Sequence, residues 1–311
     1  TRAQELQQGF HRPPSSHRLR VRLRGGRIAD WWHGFASSHI LFTNAGLPAW
    51  LQRITDVIGD DGVARGAPPP YRVQGRRRVE FDLQRLPVYT GPWRGLGAGP
   101  NNLVIESAID ECARRLGADP LQFRLQHIED PRLARVLTRA AQAAGTPPAP
   151  AAGLRRGRGI ACGIYKGRSY AAVVADLEVA PDGGLRLTRL LCAHDCGPLI
   201  NPDQVRAQCE GNLVWGMGMV LSDGLPVAGG QIAASGFAEA PIPRLSAVPP
   251  LEVLLVDEAE VGQDQAPSGA GETAIVAAAA AIANAVRDAT GHRLTRFPLR
   301  SEDLVRTSPP A

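Results

Sequence analysis

The stretch AAVVADLEVAPDGGLRLTRLLCAHDCGPLINPDQVRAQCEGNLVWGMG, residues 171–218, decides how this chain folds. Val173, Ala175, Leu177 and Val179 alternate with Val174, Asp176 and Glu178, the two-residue period of a half-buried strand. Pro181-Asp182-Gly183-Gly184 supplies turn residues before LRLTRLLCA, so residues 170–193 read as a β-hairpin. Asn201-Pro202 then offers a capping oxygen and a proline suited to a first helical turn, which predicts a helix over 202–221. Gly211, Gly216 and Gly218 interrupt that helix, each at about 1 kcal/mol relative to alanine. Three of them predict close packing against another backbone or a bulky ligand.

Working outward, Leu103, Val104, Ala108, Ile109, Cys112, Ala113 and Leu116 form one helical stripe that Gly117 stops. Asp119-Pro120 and Asp130-Pro131 each read as an N-cap followed by proline, so 102–144 is expected to hold three helices closed by Gly145. TPPAPAA (146–152) is a linker. RLRVRL (18–23), RRVEFDL (77–83) and LEVLLVD (251–257) are strand-like, and LPAWLQRITDVIG (47–59) reads as a helix ending at Gly59. Residues 222–266 otherwise carry little pattern. The chain divides into an N-terminal segment (1–90), a glycine-rich loop with helices (91–145) and a C-terminal α/β portion (153–311).

A chain of 311 residues with 44% hydrophobic and 21% charged residues is an ordinary globular sequence, of two domains or one large one. No apolar run is long enough to span a bilayer, and no export-signal pattern is present. The net charge of +5 is carried by arginine, with Lys166 the sole lysine. Arg76, Arg77 and Arg78 form the one tight basic run, without interleaved aromatics, so nucleic-acid binding is not expected. Cys112, Cys162, Cys192, Cys196 and Cys209 have neither disulfide-framework nor iron–sulfur spacing and are expected as thiols. Cys192, His194 and Cys196 could share a strand face as metal ligands, but a fourth ligand is not evident.

PSGAGETAIVAAAAAIANAVRDATG (267–291) places one carboxylate, Glu272, where a small-residue loop enters an Ala-rich helix closed by Gly291. Helix chemistry accounts for it, since a first-turn acid complements the unpaired N–H groups. So does proton chemistry on something that approaches the open loop. The two readings are compatible.

Three segments in order, GPWRGLGAGPNNLVIESAIDECARRLGADPLQFRL (91–125), LLCAHDCGPLINPDQVRAQCEGNLVWGMG (190–218) and PSGAGETAIVAAAAAIANAVRDATGHRL (267–294), resemble the molybdopterin-binding large subunit of the xanthine dehydrogenase and aldehyde oxidase family. The isoquinoline 1-oxidoreductase-like branch is the best likeness, and the region resembled is the C-terminal part of that subunit. The resemblance implies an α+β fold of mixed sheets with packed helices. It implies hydroxylation of an aldehyde or N-heterocycle with oxygen from water, at a molybdenum held by an organic pterin with no required protein ligand. Glu272 then matches the family's base, and Gly271 the backbone that approaches the metal's ligands. Trp93, Arg94, Gly95 and Leu96 match the loop covering the site. Leu96 stands where many relatives carry an aromatic, which weakens a purine-like substrate. Gln208 matches a glutamine bonded to the pterin, though an exposed helix amide explains it equally.

The resemblance further implies a cytosine dinucleotide form of the cofactor. The upstream half of the large subunit would lie on a second chain, and iron–sulfur clusters on a small subunit, with a cytochrome or other acceptor beyond. Assembly is expected in the cytoplasm, or in a periplasmic or inner-membrane complex if a partner carries the export signal. Two rival expectations are a non-catalytic scaffold or maturation partner of the same fold, and a hydrolase using Thr1 as N-terminal nucleophile. Tyr165 and Lys166 either face substrate or place an ordinary lysine in solvent.

Overall fold

The computed structural model describes residues 1–41, 48, 50–51, 54, 59–147, 149–256 and 266–305. A four-stranded sheet lies at its centre, made of β4 (Arg155–Tyr165), β5 (Ser169–Val179), β6 (Leu185–Asp195) and β9 (Leu251–Leu255) in that order. The first three run antiparallel and β9 joins parallel to β6. The expected hairpin is therefore present, but β5 is not half-buried: every residue except Glu178 is buried. Helices cover both of its faces, and Asp176 is tolerated inside because Arg158 grips both of its oxygens, Nε at 2.6 Å and Nη2 at 2.7 Å. A buried carboxylate paired in this way escapes the cost of lone burial.

The Ala-rich segment forms helix α7 (Ala274–Thr290), closed by Gly291 in the left-handed region, and lies on β4 and β5. Its small side chains bring backbone onto backbone. A Cβ on Gly157 or Gly159 of β4 would sit 2.0 Å from the carbonyl oxygens of Ala285 and Ala281. Helix α6 (Pro202–Leu221), capped by Asn201, packs on α7's other side. There a Cβ on Gly216 would fall 2.5 Å from that of Ala278, which is the close packing its glycines predict.

The three expected helices are α3 (Ala98–Arg115), which packs against both α7 and β4, α4 (Pro120–Leu125), and α5 (Pro131–Ala144), which covers the sheet's opposite face; Asp119 and Asp130 cap the last two. Leu116, expected on the buried stripe, is instead exposed at the end of α3. Ile105, Ile109, Phe123, Leu133 and Leu137 fill the core against Val174 and Leu191. Within this core Arg124 Nε donates to Glu106 Oε2 at 2.9 Å with both side chains fully buried, and Tyr71 donates to the same carboxylate. A second sheet, β1 (Ser15–Arg24), β2 (Arg27–Ser37) and β3 (Arg77–Leu83), adds Ile28 and Trp31 to this core. Its β1–β2 pairing is antiparallel and β2–β3 parallel.

Among the short elements, α1 (Arg2–Gln8) is capped by Thr1, whose hydroxyl and amine both bond Gln4 in exposed surroundings. That engagement is helix-capping chemistry. Helix α2 (Asp61–Ala64), strands β7 (Val227–Ala228) and β8 (Gln231–Ile232), a 3-10 turn (Leu245–Ala247) and helix α8 (Ser301–Val305) complete the described elements. The helix expected over 47–59 lies largely outside the described residues. All five cysteines are buried free thiols, and among the described residues no group of three or more His, Cys, Asp or Glu could hold a metal ion.

Candidate active site

Loop 91–97, the middle of α6 and the turn before α7 converge on one corner. Gly95 and Leu96 take positive φ, 87° and 50°, and reverse the loop just before α3. Only glycine suits the first position: its φ disfavours a side chain, and a Cβ would meet Ile275 Cγ2 at 3.0 Å. The reversal aims the Gly95 N–H at Glu272, to whose Oε1 it donates at 3.1 Å.

Arg94 holds the three elements together. Its Nε donates to the Gly271 carbonyl at 2.6 Å, and its Nη2 to the Gln208 side-chain oxygen at 2.7 Å and main-chain oxygen at 3.2 Å. The guanidinium also lies over Trp215, 5.6 Å from the ring centroid. Gly211 leaves the room for it, since a Cβ there would lie 3.0 Å from Arg94 Nη1. Partial burial pushes the Arg94 pKa down and the Glu272 charge opposes that shift. Arginine nonetheless remains a cation under any ordinary condition.

Asn212 is a site residue that sequence reasoning missed. Its amide nitrogen donates to the carbonyls of Gln208 at 2.6 Å and Gly271 at 3.1 Å, while its oxygen accepts the Ile275 N–H at 3.2 Å. The α7 N-cap, Thr273, makes no side-chain capping bond, so Asn212 caps that helix from a neighbouring one. The available signal was an asparagine at the start of the apolar, glycine-rich second half of the helix, where an unpaired amide would be costly.

Glu272 itself precedes the N-cap and is not in the first turn, so its hydrogen bond to Gly95 governs its placement more than the helix start does. Gln208 is exposed as an amide on a helix surface would be, yet its oxygen is fixed by Arg94. Of the other expected residues, Trp93 packs on Trp215 with ring centroids 5.1 Å apart and lies under Arg12. Leu96 packs against the cluster of Phe35, Ile40, Val63 and Ala67. Tyr165 is buried at the end of β4 and Lys166 is exposed beside it. Arg65 donates to the Tyr165 hydroxyl at 3.2 Å.

A pterin cofactor needs hydrogen-bond partners and close backbone, and the corner offers both. With the Gln208 oxygen taken by Arg94, its amide N–H groups remain for another acceptor. A Cβ on Gly269 would meet nothing within 4 Å, and one on Gly271 only the Gln208 oxygen at 3.6 Å, so a ligand can approach this turn closely. The residues present fit such a group.

Comparison with known proteins agrees. A family model described as a molybdopterin cofactor-binding domain matches residues 159–249. A subunit of nicotinate dehydrogenase from Pseudomonas putida is 34% identical over 250 residues, covering 75% of this chain and 21% of that protein. The beta subunit of isoquinoline 1-oxidoreductase from Brevundimonas diminuta is 35% identical over 229 residues, covering 72% and 28%. The chain thus spans about a quarter of the length of these relatives. Among solved structures, the aldehyde oxidoreductase of Desulfovibrio gigas superposes with a TM-score of 0.79 at 16% identity, over 99% of this chain and 50% of that one. Quinoline 2-oxidoreductase from Pseudomonas putida 86 gives 0.77 at 14% identity, over 99% and 64%. These two likenesses concern the α+β fold. The chain belongs to the xanthine dehydrogenase and aldehyde oxidase family of molybdenum hydroxylases, as a molybdopterin-binding part of its large subunit.

Proposed function

We propose that this chain forms the cofactor-facing corner of a hydroxylase that oxidises an aldehyde or an N-heterocycle with oxygen taken from water. The observation that carries the reading is the Arg94 clamp, which presents the free amide of Gln208, the open turn at Gly271 and the carboxylate of Glu272 to one side. Bound there, a molybdenum–pterin cofactor, which we take to be the cytosine dinucleotide form, supplies the metal that activates the oxygen and accepts the electrons. The rest is the work of the chain's own residues. Gln208 donates its amide N–H groups to the cofactor, and Gly271 lets the backbone approach it. Trp93, Arg94, Gly95 and Leu96 form the loop that covers the site. Glu272, with Oε1 held by the Gly95 N–H, takes the proton from the attacking oxygen as general base.

The relatives named for nicotinate and isoquinoline support an N-heterocyclic substrate. Electrons would leave through iron–sulfur clusters on a small partner subunit, and the remainder of the large subunit would complete the site. Glu272→Gln tests the reading, since it keeps the side chain's size and removes the base. In the assembled enzyme kcat should fall roughly 10²–10⁴-fold with molybdenum content unchanged. More than half of wild-type kcat at full loading would sink the assignment. A purified assembly with neither molybdenum nor pterin would favour the scaffold reading.

A further inference from the structure

The hairpin from β4 to β5 closes through a strained turn. The Arg168 N–H donates to the Tyr165 carbonyl at 3.3 Å, and the two residues between, Lys166 and Gly167, have φ of 52° and 65°. Turns of this hand favour glycine, asparagine or aspartate, and a lysine carries strain there that glycine would not. Lys166 is also the one lysine among 35 lysines and arginines, so the arginine-rich composition does not account for it. Its ammonium lies 5.6 Å from the centroid of the Tyr165 ring. The Arg65 guanidinium lies at the same distance from that ring and donates to the Tyr165 hydroxyl at 3.2 Å. Among the described residues, neither cation has a carboxylate within ion-pair distance.

Hydrogen bonds from two directions bring this pair to the candidate site. Ser169, which pairs with Tyr165 across the hairpin, meets Thr273 hydroxyl to hydroxyl at 2.7 Å. The Arg168 carbonyl accepts from Ser268 Oγ at 3.1 Å. The hairpin end is thus fastened on both sides of the open turn that carries Gly269, Gly271 and Glu272. From the other direction, the Arg65 carbonyl accepts from the Asn101 side chain at 2.9 Å, near the start of α3. Gly95, the donor to Glu272, lies just before that helix. Unpaired cations beside an open turn suit an anionic ligand. We infer that Arg65 and Lys166 form a carboxylate-binding subsite, so that the substrate is an aldehyde or N-heterocycle whose ring carries a carboxylate. The substrate class rests on the proposed hydroxylase function; the anion subsite does not. A phosphate of the cofactor offers the same chemistry, and the test separates the two.

Isothermal titration calorimetry of the assembled enzyme without an electron acceptor reads the subsite, with pyridine-3-carboxylate and pyridine-3-carboxamide as probes. The carboxylate should bind at least about tenfold more tightly than the carboxamide. Lys166→Gly and Arg65→Met should each weaken carboxylate binding about tenfold, the usual worth of a hydrogen bond to a charged group, and change carboxamide binding less than about twofold. Lys166→Arg should keep most of the affinity, and molybdenum content should not change in any variant. Lys166→Gly should also melt no lower than wild type, because it relieves the turn. Equal affinity for the two probes, or carboxylate affinity unchanged in the variants, would overturn the subsite. A lower Tm in Lys166→Gly would make the lysine a turn residue, and molybdenum loss would assign the cations to the cofactor; either result overturns the inference. The exposed Lys166 carries the test if Arg65→Met fails to fold. Glu272→Gln should bind the carboxylate at least as tightly as wild type. An active Glu272→Gln would remove the base assignment while the affinity ratio of the two probes still decides the subsite.

Discussion

Replacing Arg94 by lysine would keep the charge but leave a single ammonium where a planar fork now meets three acceptors on two elements. Such a change is not conservative at a bidentate site. The side chain holds Gln208 in the orientation that frees its amide, so Arg94→Lys should act on the proposed cofactor contact and not on proton transfer. Gln208→Ala removes that contact directly, at about 1 kcal/mol for a neutral hydrogen bond, or roughly fivefold in retention. Both variants should lose molybdenum faster than wild type on dilution and gel filtration, with Arg94→Lys the more affected because the Gly271 turn is released too. Metal content that decays at the wild-type rate in either variant would count against the clamp.

At the scale of elements, helix α7 shows why so much was legible and where legibility stopped. The caps at Asp119, Asp130 and Asn201, the Gly145 stop and the turn before β6 are local chemistry, readable from a few neighbouring residues. What α7 lies on is not local. Its alanines look like a helix of indifferent polarity until Gly157 and Gly159 of β4 and Gly216 of α6 are seen against it, and all three are distant in sequence. Two-sided burial of β5 was hidden for the same reason: Asp176 reads as a solvent-facing residue unless Arg158 is known to pair with it. In the candidate site, Glu272, Gln208 and Arg94 were proposed from spaced motifs that resemble the family's, whereas Asn212 depends on a turn more than fifty residues away. The backbone contact makes Gly159→Ala a sharp test. Its methyl would sit 2.0 Å from the Ala281 carbonyl, so strand and helix must separate. Overpacking of this kind costs about 1–3 kcal/mol or more. Thermal or urea unfolding should show a clear loss of stability, while Gly153→Ala, a positive-φ glycine with nothing within 4 Å, should cost less. Equal effects would mean that α7 does not rest on the strand as described.

The molecule as a whole leaves apolar surface uncovered. Phe10, Val227, Phe237 and Ile242 are each half exposed or more and line one groove, of about 1060 Å³, that also takes in Trp93 from the active-site loop. Leu245 and Ile200 are 89% and 80% exposed. Patches of this kind mark surfaces that associate. In the proposed enzyme the rest of the large subunit meets this chain around the cofactor, and the groove behind Trp93 is where an apolar, extensive interface would be expected. The chain expressed alone should then self-associate or remain poorly soluble, and should not retain the pterin. Co-expression with the chain that carries the remainder of the large subunit should give a discrete complex containing molybdenum. Substituting Phe237 and Ile242 with serine together should weaken that complex while improving the behaviour of the isolated chain, because both lie outside the two main cores. Size-exclusion chromatography with metal analysis decides the matter: an isolated chain that elutes as a monodisperse monomer, binds the cofactor and turns over substrate needs no such partner.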